Sequence, residues 1–193
     1  LFDDYDPTPA GRLIQTMMID QVSNWYVRRS RRRFWKGEMT NDKKAAYDTL
    51  FEVLLGAAKL IAPIAPFFAE WMYDRLSTYT TETMHDSIHL SLWPMAAMQS
   101  DRDLMHKMHI AQRLSSMVLG IRKAEKIRVR QPLSRILVPL SNEVTSELMQ
   151  SIESIIQEEV NVKTLELMPE DHPLMQRKAK ANFKTLGRRL GKK

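Results

Sequence analysis

Ser23-Asn24-Trp25-Tyr26-Val27-Arg28-Arg29-Ser30-Arg31-Arg32-Arg33-Phe34-Trp35-Lys36 sets six cations among four aromatic rings within fourteen residues. Guanidinium groups bind phosphates through paired hydrogen bonds, and flat rings accept bases splayed out of a loop, so the mixture suits unstacked RNA. The plainer reading of an arginine run at a helix end is a solvated face that favours the C-terminal dipole. At about 100° per residue, Ile14, Met18, Gln21, Val22, Trp25, Arg29, Arg32 and Lys36 share one face, apolar at its start and cationic at its end. That gradient predicts a helix whose last turns leave a packed core to meet an anionic partner. Trp25 is expected in the core, with Phe34 or Trp35 offering a stacking surface.

Working outward, Thr8 as cap and Pro9 at the first helical position open this helix, and Gly37 suits its C-terminal end near Lys36. Thr40 or Asn41 then caps a second helix carrying Tyr47, Leu50, Phe51, Leu54, Leu55, Ala58 and Ile61. Pro63 and Pro66 predict a break over residues 62–65. A shorter helix over residues 66–76 is then expected to bury Phe67, Phe68, Trp71, Met72 and Leu76. Residues 78–86 form a polar loop, and residues 88–94 an extended connection. A long helix follows over 101–126, with Leu104, Met108, Ala111, Leu114, Ser115, Val118 and Ile121 on its apolar face. The period then changes to a strand over 133–140, a helix over 143–158 and a strand over 160–167. The expected fold is mainly α: a helical bundle over 1–126, a small strand–helix–strand α/β appendage over 127–176, and a basic tail over 177–193.

The 193 residues, 44% hydrophobic, suffice for a substantial core. No run of eighteen apolar residues is present, so no membrane partner is expected, and Leu1-Phe2-Asp3-Asp4 does not resemble a signal peptide. Zero Cys rules out disulfides and thiolate metal sites and fits a reducing compartment. The net charge of +6 is uneven: the tail holds eight of the 29 basic residues, leaving 21 against 23 acidic ones. Basicity gathers in residues 28–36, in Arg122, Lys123, Lys126, Arg128 and Arg130, and in the tail, which marks local anion sites. The tail has little apolar material to bury and is expected to be poorly ordered.

No constellation for catalysis emerges. The six glycines form neither Rossmann nor P-loop spacing. His85 with His89 and His106 with His109 have helix-face spacing but no evident third ligand, so solvated histidines are the better reading. Thirteen methionines fit core filling, the alternative being a Met-rich protein-interaction groove.

The run Asp20-Gln21-Val22-Ser23-Asn24-Trp25-Tyr26-Val27-Arg28, followed by Arg31-Arg32-Arg33-Phe34-Trp35, resembles the anticodon-binding domain of class I aminoacyl-tRNA synthetases. Ala57-Ala58-Lys59-Leu60-Ile61-Ala62-Pro63-Ile64-Ala65-Pro66-Phe67-Phe68-Ala69-Glu70 is similar to the junction of that domain's second and third helices. Lys126-Ile127-Arg128-Val129-Arg130-Gln131-Pro132-Leu133, Glu159-Val160-Asn161-Val162-Lys163 and Asn182-Phe183-Lys184-Thr185-Leu186-Gly187 resemble its later segments, in the family's order. The first and third of these motifs favour the isoleucine-specific branch over the valine-specific one. The resemblance implies a module that binds the anticodon stem-loop of isoleucine tRNA as part of a longer, cytoplasmic, monomeric ligase. ATP and magnesium would serve that whole enzyme, with no cofactor in these residues. By their chemistry, Arg28, Arg29, Arg31, Arg32, Arg33, Lys36, Arg128 and Arg130 are the candidates for phosphate and base-edge contacts, and Phe34 and Trp35 for stacking.

The family's nucleotide-binding motifs are absent here, and the resemblance places catalysis and editing upstream of Leu1. The purified chain is therefore expected to show no isoleucine-dependent ATP–pyrophosphate exchange; measurable exchange would refute that expectation.

Overall fold

The computed structural model describes residues 6–35, 37–80, 84–95, 100–169 and 172–174; Lys36 and the basic tail lie outside them. Contacts divide the chain into two units, Leu1–Ser100 and Asp101–Lys193. The helix over 102–124 lies in the second of these units.

In the first unit α1 (Pro7–Thr16) begins two residues earlier than expected, with Pro7 in the first turn and Asp6 in place of Thr8 before it. The helix then widens: Met17–Val27 is π-helical, with the Arg28 N–H reaching back five residues to the Ser23 carbonyl. Helix α2 (Arg31–Trp35) resumes the ordinary pitch. This alternation decides what is buried. Four residues overshoot a turn of 3.6, whereas a turn closed by i→i+5 bonds takes more than four, so the two drifts oppose each other. A four-residue repeat therefore stays on one side: Ala10, Ile14, Val22, Ser30 and Phe34 are buried, with Met18 and Tyr26 half-buried between them. Trp25, expected in the core, is only half-buried. The expected wheel assumed α geometry throughout and so departs from the buried side after Val22.

Gly37 takes φ 72° as the chain leaves α2, a conformation that suits glycine. Helix α3 (Asn41–Ile61) starts from Thr40, whose side chain accepts from the Lys43 N–H at 3.2 Å. Helix α4 (Pro66–Ser77) turns back after the expected proline break. Its buried stripe is Ala69 and Tyr73, which pack with the half-buried Met72 around Ala58 and Ile88, and Leu76 is half-buried further on. A helix with one partner buries one stripe, and Phe67, Phe68 and Trp71 fall outside it. They are 91%, 51% and 56% exposed, a correction to their expected place in the core. Residues 88–94 are not simply extended either: Ile88–Leu90 is a 3₁₀ turn that drives Ile88 into the α3–α4 core. Glu70 holds that turn, its carboxylate accepting from Ser87 Oγ at 2.9 Å and the Ile88 N–H at 3.0 Å.

The second unit is α5 (Arg102–Ala124), β1 (Leu133–Pro139), α6 (Ser146–Val160) and β2 (Val162–Met168). Asp101 and Thr145 cap the two helices by accepting from the N–H groups of Leu104 and Leu148. The strands pair in parallel, Leu133 opposite Val162 and Pro139 opposite Met168, the connection a helical crossover demands. Met149, Ile152, Ile156 and Val160 line one face of α6 and are buried, as are Ile110 and Ala111 of α5. Leu104 and Ile121, expected on the buried face of α5, are 52% and 63% exposed; the buried positions in its last turns are Ser115 and Arg122.

Tyr73 supplies a pH test of the first unit. Its hydroxyl donates to the His85 carbonyl at 3.1 Å, and burial foremost, then the charges of Glu70 and Asp86, raises its pKa above the ordinary 10.0. The folded state holds this proton more tightly than the unfolded chain, so its stability is full below about pH 10 and lost as pH rises through the folded value. Tyr73→Phe is expected to cost about 0.5–1.5 kcal/mol at neutral pH and to flatten the alkaline loss, as read from urea unfolding in neutral and alkaline buffer.

Candidate nucleic-acid interface

The arginine cluster sits where the first helical stretch meets α3. Phe34 anchors it: buried at 6% exposure, its ring contacts Tyr26 edge-on at 6.3 Å, Trp35 edge-on at 6.2 Å and Tyr47 at 5.0 Å. The Tyr26 hydroxyl donates to the Ala46 carbonyl at 2.9 Å, and the Tyr47 hydroxyl to the Phe34 carbonyl at 3.1 Å. Both faces of the Phe34 environment are thus protein, and of the two rings considered for stacking it is Trp35, 70% exposed, that meets solvent.

The cations divide by what already holds them. Arg33 grips Asp42 with two parallel bonds, Nε to Oδ2 at 2.8 Å and Nη2 to Oδ1 at 2.7 Å, and adds a third to the Asp42 carbonyl at 2.9 Å. The planar fork is thereby spent on joining α2 to the start of α3, where a carboxylate is also favoured by the helix dipole. Arg28 Nε donates to the Asn24 carbonyl at 3.0 Å. The Arg29 guanidinium lies 5.3 Å from the Trp25 ring centre and that of Arg31 lies 5.7 Å from Trp35. Arg31 and Trp35 therefore form an exposed cation–ring pair. Arg32 is exposed and has no hydrogen-bond or ion-pair partner among the described residues.

The second basic group splits in the same way. Arg128 and Arg130 are exposed in the loop before β1, as is Lys126, and Lys123 is exposed in the last turn of α5. Arg122 is 2% exposed and bonds to backbone carbonyls. The internal role of Arg122 has a signal in the sequence: it follows Ser115 by seven residues and Val118 by four, the spacing of a buried helix face. Asp42, nine residues beyond Arg33 across a turn, has none.

Among the described residues no group of three or more His, Cys, Asp or Glu side chains is placed to hold a metal ion. No described helix is long and apolar enough to cross a membrane.

Residues 1–138 match the family of anticodon-binding domains of tRNA ligases, and the chain belongs to that family. Its relatives include the isoleucine–tRNA ligases of Cytophaga hutchinsonii, 44% identical over 193 residues, and of Porphyromonas gingivalis, 43% identical over 190. The isoleucine–tRNA ligase of Streptomyces coelicolor is 40% identical over 193 residues. These alignments cover 100%, 98% and 99% of the chain but only 17%, 16% and 18% of the relatives, so the chain spans about a sixth of their length.

The split between engaged and free arginines is testable by stability alone. Arg33→Ala is expected to cost about 1 kcal/mol, the upper end for an exposed pair, which is about 4–8 °C in melting temperature for a unit of this size. Arg32→Ala should stay within about 0.5 kcal/mol of the parent. Equal losses in a thermal melt would remove the distinction.

Proposed function

We propose that this chain is the anticodon stem-loop-binding part of an isoleucine–tRNA ligase. The carrying observation is the coincidence of the family match over residues 1–138 with 40–44% identity, across essentially the whole chain, to isoleucine–tRNA ligases. The relatives compared lend the valine-specific branch no support. On this reading, isoleucine activation with ATP and magnesium belongs to other parts of a cytoplasmic, monomeric enzyme.

Within the interface, Arg31, Arg32 and Trp35 are the first contacts: Arg32 for phosphate, and the Arg31–Trp35 pair for an unstacked base. Arg28 and Arg29 add positive field close by, Lys36 stays a candidate on its chemistry alone, and Arg128 and Arg130 supply a second basic element. Arg33 holds the interface together through Asp42, and Phe34 supports it from within. A stem-loop must splay its bases to be read, so a cluster already fixed by Phe34 and Arg33 loses less freedom on binding.

The exposed Phe67, Phe68 and Trp71 favour a second reading, a protein-contact face on α4, with Phe68 and Trp71 stacked at 5.8 Å. Salt separates the two. Titration of the chain with labelled anticodon stem-loop should show log affinity falling with log salt by about 0.7–0.9 per phosphate contact. Arg32→Ala should lower that slope by about one contact. Trp35→Ala should cost about 1–3 kcal/mol of binding with the slope nearly unchanged. Binding that ignores salt, or that survives both substitutions intact, would overturn this interface.

A further inference from the structure

Arg122 ends α5 inside the second unit, and no carboxylate meets its charge among the described residues. Main chain takes up its two terminal nitrogens, while the buried Nε has no hydrogen-bond partner among the described residues. Nη1 donates to the carbonyls of Arg128 at 3.1 Å and Gln131 at 3.0 Å, and Nη2 to that of Asn161 at 3.0 Å. An apolar side chain of similar length would fill the same space without a buried cation, so the ability to gather carbonyls is what the position uses.

Asn161 ties the same loop from the other side. It sits at φ 52° between α6 and β2, its Nδ2 donating to the Val129 carbonyl at 2.9 Å and its own carbonyl accepting from the Leu133 N–H at 3.2 Å. The Ile127 N–H bonds to the Arg122 carbonyl at 2.8 Å, and the Gln131 N–H to that of Arg128 at 3.0 Å. The carbonyls of Arg128, Val129 and Gln131 are thus all held by buried or half-buried side chains. The side chains of Arg128 and Arg130 are left at the surface beside Lys123 and Lys126, with Glu125 the one acid between residues 122 and 131.

We propose that Arg122 and Asn161 are positioning residues that hold residues 126–131 as a rigid loop for the phosphodiester backbone of RNA, with Arg128 and Arg130 making the contacts. The inference rests on the RNA-binding reading above and adds to it a second grip, built in the other unit and ordered before the ligand arrives. A loop fixed in advance gives up less entropy when its arginines engage. Neither positioning residue touches RNA.

The gentlest test is Asn161→Gly. Glycine takes the positive φ without strain and keeps the carbonyl that Arg122 and Leu133 use, so only the tie to Val129 is removed. In the full 193-residue chain, the amides of residues 127–131 should exchange faster, and affinity for labelled anticodon stem-loop should fall about three- to tenfold. The double substitution Arg128→Ala with Arg130→Ala should lower the parent's salt slope by about 1.4–1.8. In the Asn161→Gly background, the same pair should have less than half its effect on affinity. A purely structural role would lower the melting temperature and leave that coupling at zero. Arg122→Met should act in the same direction and more strongly; if it fails to fold, Asn161→Gly carries the test. Unchanged amide exchange, parental affinity and slope, or full additivity in the Asn161→Gly background would overturn the proposal while the RNA-binding reading stands. A parent chain that binds no stem-loop at any salt would overturn both.

Discussion

Phe34 is touched by three rings, and two tyrosine hydroxyls close over its surroundings onto main-chain carbonyls. That nest fixes which side of the helix faces inward. Helix α2 continues the turns before it, the Ser30 N–H bonding to the Tyr26 carbonyl and the Phe34 N–H to that of Ser30, and the rings around Phe34 hold its last turn against α3. Five consecutive residues then face three different tasks. Phe34 packs, Arg33 fastens the turn to Asp42, and Arg31, Arg32 and Trp35 are left to solvent. The arginine cluster is therefore not a uniform cationic surface. Two kinds of residue alternate along it, those that hold the helix in place and those that are held.

The second unit solves a related problem without aromatic rings. The loop that carries the exposed arginines has only the half-buried Ile127 to anchor it by apolar contact, and its backbone carbonyls would ordinarily turn to water. Arg122 reverses this by offering buried donors. In both units a charged side chain serves as a structural brace through geometry specific to guanidinium: a bidentate fork on a carboxylate in one case and a hub for carbonyls in the other. Lysine fits neither place.

Much of this was legible from the chain. The caps at Thr40, the positive φ at Gly37, the proline break before α4 and the order of β1, α6 and β2 all follow from local chemistry, and local chemistry is what a sequence records. What escaped was decided across distance or by unusual pitch. The wheel for residues 14–36 presupposes 3.6 residues per turn; it placed Ile14, Met18 and Val22 correctly, but the π-helical stretch then carries the buried side onto Ser30 and Phe34 in place of Arg29 and Arg32. Phe67, Phe68 and Trp71 had the composition of a core but no partner within the first unit to bury them. In the candidate interface the residue types were visible, yet the roles within them were not, because Asp42 claims Arg33 across a turn. Arg122 was grouped with surface cations by its charge while its spacing already marked it as internal.

The wide turns of Met17–Val27 carry an implication for how this chain tolerates change in length. A π turn is a helical turn with a residue to spare, whereas each residue removed from an α-helical frame rotates everything beyond it by about 100°. A one-codon deletion within Met17–Val27 can therefore be absorbed by closing a wide turn to an ordinary one, and Arg28 to Trp35 would keep their present sides. The same deletion in Asn41–Ile61 has no such slack and would turn the rest of that helix away from its contacts. The wide turns thus make this part of the chain the more forgiving of a change in length.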